Sequence, residues 1–135
     1  MTIQVYHDHS EVSDEEFNKL KELVNEGTFS RIVLACDFIT GVNVENASYG
    51  AGVCAERAAL TRAVSQGQRK FRVIAIAADT EKPIVPCGIC RQFIREFSEN
   101  IALFLFNQDS EYIKVYLKDL LPLSFGPESL GIEVE

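Results

Sequence analysis

The sequence predicts an α/β domain in which helices cover a sheet. Apolar, β-branched stretches alternate along the chain with stretches of helical periodicity. Hydrophobic residues make up 47% of the 135 residues, enough to bury one core of ordinary domain size. The last two apolar stretches are joined only by Asn107-Gln108-Asp109-Ser110. So short a connection closes a hairpin but cannot make a parallel crossover, so the final two strands should be antiparallel.

Taken in order, residues 1–12 are polar and are expected to be frayed at the edge of a single domain spanning 1–135. Ser13-Asp14-Glu15-Glu16 has the form of a capping box, Ser followed three residues later by Glu. Phe17, Leu20, Leu23 and Val24 then recur at helical spacing, which predicts an amphipathic helix over 14–24, ended by Asn25-Glu26-Gly27. The acids at 14–16 favour the positive end of the helix dipole. Arg31 to Ile39 reads as one buried strand, and Gly41 to Gly52, with three glycines, as a loop. A helix follows from Glu56 to Ser65 and stops at Gly67. Arg72 to Ala78 is a second strand, and Asp79 to Pro86 a loop with two prolines. Cys87 to Phe97 is a third helix with Ile89, Phe93, Ile94 and Phe97 on its apolar side. Ile101 to Phe106 and Glu111 to Leu117 are strands, followed by a helical turn around Leu117 to Leu121 and an irregular tail.

Composition excludes several functions. The net charge of −7 repels phosphate backbones, which argues against nucleic acid as a partner. The short basic cluster Gln68-Arg69-Lys70-Phe71-Arg72 reads as a solvated turn. No apolar run approaches the roughly 18 residues of a membrane span, and the N-terminus lacks a secretory pattern, so a cytoplasmic protein is expected. In a reducing compartment the cysteines at 36, 54, 87 and 90 are thiols or metal ligands rather than disulfides. Cys36 lies in an apolar run and reads as a small core residue. His7 and His9 read as solvated.

The strongest chemical signal is Cys54-Ala55-Glu56 followed by Pro86-Cys87-Gly88-Ile89-Cys90. A catalytic zinc takes three protein ligands and keeps a fourth position for water, and Cys54, Cys87 and Cys90 match that count. Cys87 and Cys90 are three residues apart, so both can face one way on a first helical turn. Proline just ahead of that turn costs little. All three thiols fall near helix N-termini, where the dipole favours thiolate. Three thiolates on Zn²⁺ leave a net negative charge that opposes activation of water, so a cation is needed nearby. Arg57 and Arg91 each directly follow a motif segment, and one or both are expected to donate hydrogen bonds to the ligand sulfurs. Glu56, close to a ligand but not itself one, is the expected acid/base. A Cys-x-x-Cys also suits a redox pair or half of a closed structural zinc site, with Cys36 as a fourth ligand; Glu56, Pro86 and the two arginines favour the open site.

At these residues the chain resembles the cytidine deaminases of the small homotetrameric kind with three cysteine ligands. The resemblance runs from about Thr40 to Pro127. It rests on Gly41-Val42-Asn43-Val44-Glu45-Asn46-Ala47-Ser48-Tyr49-Gly50, Cys54-Ala55-Glu56-Arg57, Pro86-Cys87-Gly88-Ile89-Cys90-Arg91-Gln92, Glu96-Phe97, Leu120-Leu121-Pro122 and Phe125-Gly126-Pro127. It implies a three-layer fold, a mixed five-stranded sheet with helices on both faces, and a homotetramer. It implies a zinc cofactor and a nucleoside substrate, with Asn43 and Glu45 holding the sugar 3′-hydroxyl and Ala55 offering backbone groups to the pyrimidine. It places Tyr49 near the site across a subunit interface, and Phe125 stacked on the base from a neighbouring subunit. One segment departs from the family pattern. Where relatives carry a Tyr-Ser-Pro-Tyr-Ser-x-Phe-x-Val-Gly-Ala-Ala segment, this chain has Asn25 to Cys36, without the usual polar turn. Phe29 is the nearest equivalent of the family's base-stacking Phe and lies closer to Asn43.

The expected function is hydrolytic deamination of cytidine and 2′-deoxycytidine in pyrimidine salvage. Deamination of another aminopyrimidine nucleoside, polynucleotide editing, and a catalytically silent zinc-binding homologue are the competing readings. The Asn43–Glu45 pair argues for a ribose-bearing substrate. The acidic charge, the cysteine as first ligand and the antiparallel final strands speak against the second. The departure at 25–36 motivates the third.

Overall fold

The structure is a computed structural model that describes residues 3–25, 30–34 and 37–133, with side chains from 37 onward and before 26. The sequence expectations for Phe29 and Cys36 lie outside the described residues. Four α-helices, α1 (Asp14–Asn25), α2 (Ala55–Ser65), α3 (Gly88–Arg95) and α4 (Leu117–Leu120), are described with five strands, β1 (Ser30–Leu34), β2 (Phe38–Val42), β3 (Val73–Ala77), β4 (Ala102–Phe106) and β5 (Tyr112–Tyr116). The strands form one sheet in the order β2-β1-β3-β4-β5. Only β3 and β4 pair in parallel; β4 and β5 are antiparallel, as their short connection requires.

Strand alternation divides the core between the two faces of the sheet. Val73, Ala75 and Ala77 of β3 and Ala102, Phe104 and Phe106 of β4 face α1, where Phe17, Leu20 and Val24 close over them. Ile74, Ile76, Leu103, Leu105 and Val115 face the other way, against Ala59 and Leu60 of α2 and Ile94 of α3. Both faces are therefore covered, which is why β3 and β4 read as unbroken apolar runs.

Several expectations need correction. The run 31–39 is not one strand: β1 and β2 form an antiparallel hairpin in register Leu34↔Phe38 to Ser30↔Val42. The apolar run hid the reversal because Asp37 is its one turn-forming residue. Gly41, expected in a loop, sits in β2 because α2 packs directly on its backbone. Ile89 is 65% exposed and does not face the core. With Gln92, Phe93 and Phe97 it lines a surface groove of about 690 Å³.

Nor is the N-terminal segment frayed. Tyr6 bridges Lys114 with backbone hydrogen bonds of 2.8 and 2.7 Å, adding a short fifth pairing beyond β5. Lys114, only 1% exposed, donates to Asp8 at 2.9 Å and to Glu11 at 2.7 Å, and Tyr116 also donates to Glu11. His9 stacks on Phe17 with ring centroids 4.2 Å apart and is hydrogen-bonded to Asp14. The basic turn is not wholly solvated either, since Arg72 ion-pairs with Glu16. The capping box forms as expected, with reciprocal bonds between Ser13 and Glu16.

Candidate metal centre

β2 and β3 run in the same direction, because each is antiparallel to β1 between them. The chain leaves both at the same edge of the sheet and enters α2 from β2 and α3 from β3. Both helices pack on one face, so their N-termini meet outside the carboxyl ends of the strands, where ligands bind in open α/β sheets.

The three cysteines converge there. Cys54 is the N-cap of α2 and Cys87 the N-cap of α3, both with extended backbone. Cys90 follows in the first turn of α3 and is fully buried. Their sulfurs all lie within 4.8 Å of one another, and those of Cys54 and Cys87 are 3.9 Å apart. No other such group of His, Cys, Asp or Glu occurs among the described residues. His7 and His9 take no part in it. Among the described residues the donor set is three sulfurs.

The electrostatics call for a cation. Burial pushes the Cys90 thiol well above its ordinary value, and the negative charge of Glu56 adds to this. Burial would raise Cys87 too, but the backbone N–H of Cys90, the Cys90 and Cys54 side chains and the N–H of Ile89 outweigh it and hold its thiol below its usual value. Burial thus opposes a thiolate at Cys90, while its neighbours favour one at Cys87. A divalent cation bound by all three sulfurs removes that conflict, and three soft donors on two helix N-termini fit zinc.

The two arginines divide. Arg57 hydrogen-bonds to the side chains of Cys90 and then Cys54, which holds its guanidinium firmly charged; its Nε is buried without a hydrogen-bond partner. Arg91 bonds elsewhere. Its Nε donates to the Pro86 carbonyl at 2.7 Å and its Nη1 to the Leu120 carbonyl at 3.0 Å. It braces the loop that delivers Cys87 rather than the sulfurs.

Glu56 occupies the second position of α2, is 4% exposed, and is close enough to Cys90 to oppose its ionisation. Ala55 beside it is buried. Asn43 is half-buried, Glu45 is exposed, and the two are linked, Asn43 Nδ2 donating to Glu45 Oε1 at 3.0 Å. A bridge between Val44 and Val53, with bonds of 2.8 and 3.0 Å, pins this pair beside Cys54. Tyr49 is 95% exposed and Phe125 57% exposed, both on the surface of this chain. Gln92 Nε2 donates to the Phe125 carbonyl at 2.9 Å. Sequence reasoning missed Gly41, Gln92 and Arg95; the first two stood inside recognised motifs, but nothing local marked Arg95.

Comparison with known proteins agrees with the geometry. Residues 23–105 match the family model described as the cytidine and deoxycytidylate deaminase zinc-binding region, a span that includes all three cysteines and Glu56. A cytidine deaminase of Sporosarcina psychrophila is 42% identical over 96 residues, 70% of this chain and 71% of that protein. One of Halalkalibacterium halodurans is 42% identical over 94 residues, 69% and 71% of the two chains. The crystal structure of cytidine deaminase from Burkholderia pseudomallei superposes with a TM-score of 0.74 at 31% identity, covering 84% of this chain and 100% of that one.

Proposed function

Because the chain belongs to the cytidine and deoxycytidylate deaminase family, we propose that it hydrolyses cytidine and 2′-deoxycytidine to the corresponding uridines with release of ammonia. The observation that carries this reading is the convergence of three thiol sulfurs within 4.8 Å, with a buried glutamate two residues past the first of them.

Cys54, Cys87 and Cys90 would hold the zinc, whose Lewis acidity makes water a nucleophile near neutral pH. Glu56 takes the proton from the water that attacks C4 of the cytosine ring. It passes that proton to N3, then takes the proton of the new C4 hydroxyl and gives it to the amine, which leaves as ammonia while the C4 carbonyl forms, so one carboxyl serves as base and then acid. Its burial excludes bulk water from that exchange. Arg57, at the sulfurs of Cys90 and Cys54, offsets their negative charge. Arg91 keeps the Pro86 loop in place.

Asn43 and Glu45 bind the sugar hydroxyls; their mutual hydrogen bond leaves acceptor and donor atoms to spare for a ribose. Ala55 offers backbone groups to the pyrimidine. Phe125, with its ring exposed, stacks on the base in a neighbouring subunit, and Phe29 takes the role of the family's base-stacking Phe. The working form is a cytoplasmic homotetramer of single-domain chains spanning residues 1–135. No described helix is long and apolar enough to cross a membrane.

The test is cytidine turnover, followed by loss of absorbance, with zinc measured on the same sample. About one zinc per chain with turnover is expected. Zinc without turnover would favour a silent homologue, and turnover of single-stranded DNA but not cytidine would sink the nucleoside reading.

A further inference from the structure

Phe125 presents an exposed ring from a segment without regular structure, yet the residues around it are fastened. The Ser124 hydroxyl accepts from Arg95 Nε at 2.6 Å. The Phe125 carbonyl accepts from Gln92. The Gly126 N–H donates to Ser129 Oγ at 3.3 Å, and the Gly126 carbonyl accepts from the Ser129 N–H at 2.9 Å. Pro127 is buried. Glu128 accepts from Arg95 Nη2 at 3.0 Å, which lowers its carboxyl below the usual range. Leu123, two residues ahead of the ring, holds φ at 53° and is fully exposed, a left-handed conformation that a leucine keeps only when its neighbours impose it.

Arg95 is the centre of this arrangement. It is 6% exposed, an uncommon fate for an arginine. A Cβ on Gly126 would lie 2.5 Å from its Cζ and Nη1 and 2.7 Å from its Nη2. Near-equal distances to three guanidinium atoms mean that the plane lies flat on the Gly126 backbone. Gly126 itself has extended backbone, φ −151°, so space and not conformation demands glycine there. Arg95 ends α3, the helix that begins with Cys87 and carries Cys90. One helix therefore holds two sulfurs at its start and the Phe125 segment at its end.

We propose that Arg95 is a positioning residue for Phe125: by stacking on Gly126 and bonding Ser124 and Glu128, it fixes the ring in the orientation in which it meets the pyrimidine. The inference rests on the reading that Phe125 stacks on the base. An exposed aromatic on a loose segment would lose much of its binding contribution to ordering; fixing it in advance removes that cost.

The experiment is steady-state kinetics on zinc-loaded, full-length protein with cytidine, comparing wild type, Arg95→Ala, Phe125→Ala and the double variant. Arg95→Ala should raise KM about tenfold, the order expected from stacking a base on an aromatic ring, with kcat changed by less than about threefold. On the Phe125→Ala background, Arg95→Ala should raise KM no further. Full additivity of the two effects, or a fall in kcat and zinc content with KM unchanged, would overturn the proposal and leave Arg95 a structural residue. Should Arg95→Ala fail to fold, Gly126→Ala forces the guanidinium aside and must give the same KM rise, again absent on the Phe125→Ala background; additivity there overturns the proposal equally. Wild-type protein with full zinc and no cytidine turnover would instead sink the deaminase reading and this inference with it.

Discussion

Gly41→Ala tests how the sheet and the metal helix are joined. The added methyl would lie 2.7 Å from the Ala55 carbonyl oxygen and 2.8 Å from Ala59 Cα, and closer still to the Ala59 nitrogen. Ordinary contact begins at 3.4 Å, so β2 and α2 must part by at least 3.4 − 2.7 = 0.7 Å. Both sides of the contact are backbone, so no side chain can swing away. Overpacking typically costs about 1–3 kcal/mol, and a backbone-only contact belongs at the upper end. With about 2.1 cal/mol/K of unfolding entropy per residue, a chain of 135 residues loses roughly 10 °C of Tm for about 3 kcal/mol. The shift also separates Asn43, just past β2, from Cys54 and Glu56 at the start of α2, and misplacement on this scale can cost up to about a hundredfold in rate. We expect kcat/KM for cytidine to fall at least tenfold. Gly50→Ala is the control, because its Cβ would meet nothing within 4 Å. Melting is followed at one protein concentration for both variants, with kinetics alongside. A Gly41→Ala protein that melts within about 2 °C of Gly50→Ala and keeps its kcat/KM would refute the reasoning.

Glu56→Gln should keep its fold and zinc while kcat falls by several orders of magnitude; substantial residual turnover would show that another group moves the proton. Arg57→Ala should weaken zinc binding by about 10–100-fold in competition with a chromophoric chelator, whereas Arg91→Ala should lower Tm and leave zinc affinity within about threefold, since only Arg57 reaches the sulfurs. Equal losses from the two would contradict that division. Acid should release the N-terminal segment. The Lys114 hydrogen bond lowers Asp8 from 3.8 to about 2, and for Glu11, where burial acts in the opposite sense, Lys114 and Tyr116 still hold the carboxyl below 4.5. Groups depressed in the folded state stabilise it fully above their unfolded values and lose that contribution as pH falls, here from about 4.5 to about 2. Wild-type Tm should therefore be level above about pH 5 and drop below it, more steeply than that of Lys114→Met; parallel profiles would mean that Lys114 does not set these carboxyls.

Legibility followed the range of the interactions. The Ser13–Glu16 capping box, the helix it begins and the antiparallel β4–β5 pair were readable because each is decided within a few residues. The metal ligands were readable because catalytic chemistry restricts residue type and spacing, and the topology then brought Cys54 to Cys87 across 33 positions of sequence. What escaped was set by contacts between distant segments. Lys114 carries no local mark of its burial, which depends on Asp8 and Glu11, more than a hundred residues away in a segment expected to be frayed. Arg57 and Arg91 each directly follow a motif segment, and nothing local distinguishes the one that reaches sulfur from the one that reaches backbone.

The same contrast explains why α3 matters beyond its two ligands. Arg91, Gln92 and Arg95 hold Leu120, Phe125 and Ser124 to the helix that begins at Cys87. Rigid elements place reacting groups more precisely than loops do, and a segment bonded to such an element at three points inherits its rigidity. The irregular C-terminal segment is thereby fixed relative to the sulfurs, though it has no regular structure of its own over 121–126. A residue that looks like solvated charge on a helix can thus govern where an aromatic ring some thirty positions later in the sequence meets its ligand. Truncation after Leu120 should accordingly raise KM for cytidine far more than it lowers zinc content, because Cys54, Cys87 and Cys90 all lie outside the removed segment. Loss of zinc in step with loss of binding would show instead that the segment holds α3 in place, reversing the direction of support.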